Sequence, residues 1–313
     1  MDLLGDIIGV LGVRASLYFR ATLRSPFAIR VPADGRKVRF HVSGLGRTWV
    51  GLPNGQGIML GPGDLALIPH GRAHLLADQP DTTATPLRDV LAQARPDRVG
   101  HLAYGGRGPR SMLVCGHFSF LDPPAHPILT SLPALIHIRA RFGKDYRWFE
   151  LLLRHMQEES LGRLPGHEAV VSRLSEVLLM QVLRAHLEQE PGSTAALGAL
   201  VNPALRRALS ALHADPAARW SVERLAHAAG QSRTAFAVHF RERIGMPPMQ
   251  YLTLWRLQKA RALLLAGELQ VKEVVRAVGF ASGSAFSRAF KAHFGRTPRA
   301  LRVEASRQQR HAQ

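Results

Sequence analysis

Gly279-Phe-Ala-Ser-Gly-Ser-Ala-Phe-Ser-Arg-Ala-Phe-Lys-Ala-His-Phe-Gly-Arg-Thr-Pro298 reads as a turn, a capped helix and a stop. Gly279 supplies the left-handed backbone of a sharp turn, Ser282 an oxygen to cap the next helix, and Gly295 with Pro298 ends that helix. Phe286, Phe290 and Phe294 recur every four residues and turn one face inward. Ahead of the turn, Lys272 to Val278 is a short first helix. The unit is therefore helix, tight turn, second helix, the arrangement with which many proteins read DNA.

The same text occurs a second time. Leu225-Ala-His-Ala-Ala-Gly230 is followed by Ser232, Phe236, Phe240, Ile244, Gly245 and Pro248, matching Val274 to Gly279, Ser282, Phe286, Phe290, Phe294, Gly295 and Pro298. Up to Gly230 the offset is 49 and from Ser232 onward it is 50, so one turn has an extra residue. An ordinary helical hairpin accounts for the apolar period, but not for two copies with matched glycine, serine and stop signals. Between them, Met249 to Ala266 reads as one helix, about 27 Å long at 1.5 Å per residue. With its flanks it could set two recognition helices roughly 34 Å apart, one turn of B-DNA.

Charge points the same way. The 313 residues hold 41 Lys plus Arg against 23 Asp plus Glu, a net charge of +18. From Val201 onward there are 19 basic and 6 acidic residues, so the excess sits mainly on the repeat. A basic module joined to a more neutral domain expects double-stranded DNA as its partner. Cys115 is the single cysteine, which excludes an intramolecular disulfide and suits a reducing cytosol. Met1 to Val13 is apolar, but Asp2 and Asp6 stand where a signal peptide is basic, and no run of 18 apolar residues occurs. The expectation is a cytoplasmic protein without a membrane partner.

Up to about residue 140 the chain is rich in Gly and Pro, with short β-type runs: Val38 to Val42, Leu65 to Ile68, Met112 to Cys115 and Gly116 to Phe120. This suggests a small barrel or sandwich. Asp81 to Gly108 reads as a long loop or insertion. Tyr146 to Glu159 and His167 to Glu190 read as helices. In the second, Val170, Val171, Leu174, Val177, Leu178, Gln181, Val182 and Leu187 follow steps of three and four. Such a stripe serves core packing or the seam of a dimer between like helices. Pro191 to Thr194 reads as a linker.

Residues 202–302 resemble the DNA-binding domain of the AraC/XylS family of bacterial regulators, with Gly279 to Pro298 as its signature. The resemblance implies two helix-turn-helix subdomains joined by a long helix. In the second, Gly283, Ser284, Ser287, Arg288 and Lys291 face outward; Arg288 can pair with a guanine edge and Lys291 with phosphate. In the first, the matching residues are Thr234, Ala237, Val238 and Arg241, with Arg233 near the start. Val238 departs from the long polar residue common in the family, so Ala237 and Val238 are left to contact thymine methyls.

Gly63-Asp-Leu-Ala-Leu-Ile-Pro69-His-Gly71-Arg-Ala-His74 resembles the second motif of the cupin barrel. Of the first cupin motif only His41 remains, with Ser43 where a second His would stand, so the usual cupin metalloenzyme site is not implied. His41, His74 and Cys115, with His117 beside them, lie on separate strands that such a barrel brings together. They suit zinc or another borderline-soft metal, an effector site, a thiol switch if an imidazolium lowers the Cys115 pKa, or plain packing.

The reading is an α+β protein with a cupin-like β-barrel (1–140), a helical linker and dimerisation segment (141–200), an all-α double helix-turn-helix domain (201–305) and a basic tail (306–313). It expects a transcription regulator, with activation as its mode, that forms a homodimer, meets RNA polymerase at promoters, and senses a small molecule, metal or oxidant. No Ser/His/Asp pattern, Walker loop or paired-carboxylate arrangement marks an enzyme. The rival reading is a cupin-type metalloenzyme carrying an accessory DNA-localising domain.

Overall fold

The computed structural model describes residues 2–97, 100–120, 126–140, 144–162, 164–190 and 195–303. The expected linker at 191–194 and the tail at 306–313 lie outside them. In chain order come α1 (Leu3–Leu11), β1 (Arg14–Arg24), β2 (Ala28–Val31), β3 (Lys37–Leu45), β4 (Thr48–Gly51) and β5 (Gly57–Leu60). Then follow β6 (Leu65–Ile68), β7 (His74–Ala77), β8 (Thr85–Pro86), α2 (Leu87–Gln93), β9 (His101–Gly105) and β10 (Arg110–Ser119). Next are α3 (Pro127–Thr130), β11 (Ile136–Ile138), α4 (Lys144–Gly162), α5 (His167–Gln189), α6 (Ala195–Ala199) and α7 (Pro203–Ala214). The last five are α8 (Val222–Ala229), α9 (Arg233–Ile244), α10 (Pro248–Ala266), α11 (Val271–Ala277) and α12 (Gly283–Phe294).

Contacts divide the chain differently from the sequence boundaries. One unit takes residues 13–124 and 132–193, so α4 and α5 fall with the strands; the other takes 1–12, 125–131 and 194–313. The first is α+β. Its strands form two sheets, ordered β11-β6-β3-β10-β1-β9 and β5-β4-β7-β2-β8, a two-layer barrel not closed by ladder hydrogen bonds among the described residues. Apolar side chains from both sheets fill the space between them, among them Leu23, Ile29, Val50, Leu60, Ile68, Leu76 and Leu113. β3 is buried on both faces: alternation sends Val38, Phe40 and Val42 to one side and Arg39, His41 and Ser43 to the other. Gly71, at φ +57°, is required where it stands, because a Cβ there would collide with the Asp34 carbonyl.

One expectation is corrected here and one alternative is decided. The stretch 81–108 is no bare loop: α2 inserts Val90 into the core and β9 pairs in parallel with β1, burying Leu102. Of the two roles open to the α5 stripe, its buried members serve core packing. Leu178 and Val182 are fully buried, with Leu179 and Leu183 beside them, and α5 packs on β1, β11 and α4 of its own unit. Of the same stripe, Val170 lies on the exposed side.

The second unit is all-α. Ser221, Ser232 and Ser282 accept the backbone N–H of Arg224, Ala235 and Ala285, capping α8, α9 and α12. Gly230, Gly245 and Gly295 take left-handed backbone at the ends of α8, α9 and α12. Gly279 does so at the second turn (φ +78°), where a Cβ would sit 2.5 Å from the Ala217 Cα. The residue added in that turn lets the Phe280 ring reach Phe286, with centroids 5.3 Å apart. The second reading unit has its own core of Leu257, Leu264, Val274, Val278, Phe286, Phe290 and Leu301.

Candidate nucleic-acid interface and sensor core

On α9, Phe236, Phe240 and Ile244 face inward, which leaves Arg233, Thr234, Val238 and Arg241 exposed and Ala237 half-buried. On α12, Phe286 and Phe290 face inward, with Gly283, Ser284, Arg288 and Lys291 exposed and Ser287 half-buried. Each helix thus offers one continuous outward strip, in the second unit polar and cationic, in the first apolar at its centre. Ser284 is tied to the cap, its hydroxyl 3.1 Å from that of Ser282. Arg233 is held by a residue the sequence reading passed over: Glu223 on α8, 2.7 Å from its Nε. Both partners are more than half exposed, so the pair contributes little and Arg233 can leave it for a phosphate.

Between the two sheets, His41, His74 and Cys115 converge. Cys115 on β10 lies opposite His41 on β3, and His74 begins β7 in the facing sheet. The His41 Nδ1 is 3.2 Å from the Cys115 Sγ, its Nε2 is 2.8 Å from the His74 Nε2, and the His74 Nδ1 is 3.0 Å from the Arg72 carbonyl. The carbonyl can only accept, so the His74 Nδ1 carries the hydrogen and its Nε2 accepts. His41 then donates from Nε2, and its Nδ1 accepts the Cys115 S–H. All hydrogens in the chain point one way, from thiol to carbonyl. His117 stands two pairs further along the ladder, opposite Arg39, outside this chain.

Every member is neutral. Burial holds His41 well below the usual imidazole range, and a proton on His74 and the Arg39 charge act the same way. Burial also pushes His74 down to about 4, against the raising effect of its bond to the Arg72 carbonyl, and His117 to about 4. The Cys115 thiol is pushed up to about 12 by burial. The expectation of a thiol made reactive by an imidazolium is thereby corrected: desolvation outweighs the neighbouring rings, and neither thiolate nor imidazolium exists here at neutral pH.

The arrangement is also not that of a metal site. His41 directs its two nitrogens at different partners, and 2.8 Å between imidazole nitrogens is a hydrogen bond. Two nitrogens each 2.0–2.1 Å from a tetrahedral zinc would be roughly 3.3 Å apart. Among the described residues no group of three or more His, Cys, Asp or Glu is disposed to hold a metal ion. Ser43, named in the sequence, and Thr48, which the sequence reading missed, carry hydroxyl oxygens buried without a hydrogen-bond partner among the described residues. The alternation of β3 signals Ser43; nothing in the sequence singles out Thr48.

Comparison with known proteins agrees with this two-part build. The Cupin family matches residues 2–188 and the Helix-turn-helix domain family residues 225–304. A putative AraC-like transcription regulator of Streptomyces lividans is 30% identical over 302 residues, 95% of this chain and 97% of that protein. The HTH-type transcriptional regulator AlkR of Acinetobacter baylyi is 28% identical over 307 residues, covering 97% and 100%. A solved AraC-type DNA-binding domain from Chromobacterium violaceum is 32% identical over 33% of this chain and 92% of that one, with a TM-score of 0.32.

Proposed function

The chain belongs to the AraC-like transcription regulators, with a cupin domain ahead of the helix-turn-helix domain, and we propose that it reads a specific operator with α9 and α12 under control of a small molecule in its cupin interior. It is a DNA-binding regulator and not an enzyme. The observation that carries the operator reading is the pair of strips on α9 and α12, each backed by its own phenylalanine core. Arg288 reads a base edge, Lys291, Arg233 and Arg241 bind phosphate, and Val238 with Ala237 meets thymine methyls. Because its partner is promoter DNA, we place this action in the cytoplasm, as a dimer that activates through RNA polymerase; no helix among the described residues is long and apolar enough to cross a membrane.

On an operator selected from random duplexes, Arg288→Ala should cost about 1–3 kcal/mol and relax preference at one base pair. Lys291→Ala should weaken all sequences alike and lower the salt slope by about one. Equal losses on selected and random duplexes for Arg288→Ala, read by fluorescence anisotropy, would show that Arg288 does not read bases.

The hydrogen-bond chain between the sheets supports the sensing half. A neutral thiol is a poor nucleophile, so its chemistry favours a non-covalent ligand over an oxidant. Such a ligand inserts among uncharged donors and acceptors and separates the polar link between the sheets through His41 and His74. Native mass spectrometry of the full chain should find a small molecule retained by the wild type and lost from Cys115→Val, with basal DNA binding unchanged. The same adduct in both proteins would move the effector site elsewhere.

A further inference from the structure

The core of the first reading unit contains a side chain that comes from the connection between β10 and β11. His126 caps α3 and is fully buried, packed edge-on against Tyr251 of α10 at 5.7 Å. The Tyr251 hydroxyl lies 3.4 Å from the His126 Nε2 and 2.9 Å from the Nε2 of His213 on α7. The same tyrosine ring meets Phe240 of α9 edge-on at 5.7 Å. His213 in turn stacks on Trp255, with centroids 3.8 Å apart.

The direction of this chain is determined. The Ile128 N–H donates to the His126 Nδ1, so the hydrogen of neutral His126 is on Nε2 and goes to the tyrosine oxygen. Tyr251 then donates to the His213 Nε2, which leaves the His213 N–H on Nδ1, a buried atom without a partner among the described residues. Burial holds both imidazoles neutral, each lowered to about 3. Tyr251 is thus fixed from both sides in a core that is otherwise apolar, and its ring is the surface on which Phe240 rests. Phe240 stands between Val238 and Arg241 on the recognition helix.

We propose that His126 is a positioning residue of the first DNA-reading unit, setting α9 through the Tyr251 hydroxyl. Among the described residues, the core cluster of the second reading unit is drawn from α10 onward. The first unit therefore depends on the segment that follows β10, the strand carrying Cys115, and the second does not. This rests on the proposed reading only in taking α9 as a recognition helix.

Two substitutions separate the two nitrogens of His126. His126→Gln keeps a donor at the position of Nε2 and gives up the cap; His126→Asn keeps the cap and gives up the donor. In hydrogen exchange of the full chain, His126→Asn should open α9 about five-fold more often, the loss of one buried hydrogen bond, with α11 and α12 unchanged and His126→Gln near wild type. Tyr251→Phe, which keeps the ring on Phe240 but also loses the bond to His213, should open α9 at least as often as the Asn variant, and adding His126→Asn to it should open α9 no further. Faster exchange in both reading units alike, an effect of Gln equal to that of Asn, or no effect of Asn on α9 would overturn the proposal. Faster exchange of α9 with unaltered affinity for a selected duplex would uphold the positioning and remove α9 as a reader.

Discussion

Leu178→Asp should unfold the strand-containing unit. Leu178 lies at 0% exposure on α5, between Leu179, Val182 and Leu183, on the helix that covers β1 and β11. Truncating a buried leucine costs about 2–5 kcal/mol, and an unpaired carboxylate in its place adds several more. Together these approach the whole stability of a domain, about 5–15 kcal/mol. The slowly exchanging amides of β1, β3 and β10 should be lost in the variant. Val170→Glu is the contrasting change, because Val170 is 41% exposed on the same helix; it should alter stability by no more than about 0.5 kcal/mol. We assign the dimer contact to this outer side of α5, so sedimentation at micromolar concentration should give a wild-type dimer and a Val170→Glu monomer. A folded Leu178→Asp protein would show that α5 does not pack as described, and a monomeric wild type would remove the dimer.

The contrast between these two residues shows what apolar spacing conveys. A period of three and four places Val170 and Leu178 near one stripe, but it does not say what lies opposite them. The sheet that covers Leu178 is assembled from residues far away in the chain, and only the fold reveals it. The repeat was legible because its punctuation is local: Ser232 and Ser282 cap, Gly245 and Gly295 stop, and each effect acts within one turn. The meeting of His41, His74 and Cys115 was legible for a different reason. Strand alternation put His41 on the inner face, and the glycine-rich motif ended at His74. The direction of their hydrogen bonds was not, since it depends on the Arg72 carbonyl, which every residue possesses. α2 and β9 escaped notice because few apolar residues carry them and β9 pairs in parallel with a distant strand. His126 lay in a Pro-rich passage where a four-residue helix leaves no period to read.

Mild acid should destabilise this protein before its carboxylates begin to protonate. His74 has a folded pKa of about 4 against about 6.5 for an unfolded histidine. As pH falls below about 6.5 the unfolded chain takes up a proton that the folded chain refuses, so stability drops across that window and levels off below the folded value. At 1.36 kcal/mol per pKa unit, His74 alone accounts for about 3 kcal/mol. His41 acts in the same direction, and because the two rings share a hydrogen bond the pair titrates together. Protonating His74 puts a second hydrogen between two nitrogens where one must accept, and protonating His41 puts one on the Nδ1 that accepts the Cys115 thiol, each beside the Arg39 charge that already disfavours it. His117, His126 and His213 are depressed as well, so none of these buried rings opposes the trend. Urea unfolding of the full chain should therefore give a lower midpoint at about pH 5 than at about pH 7. In His74→Gln, whose amide oxygen can still accept from His41 but cannot titrate, the difference should shrink by a large part of the His74 share. Equal midpoints at the two pH values in the wild type, or an unchanged pH slope in His74→Gln, would mean that the chain between the sheets is not the closed neutral relay described.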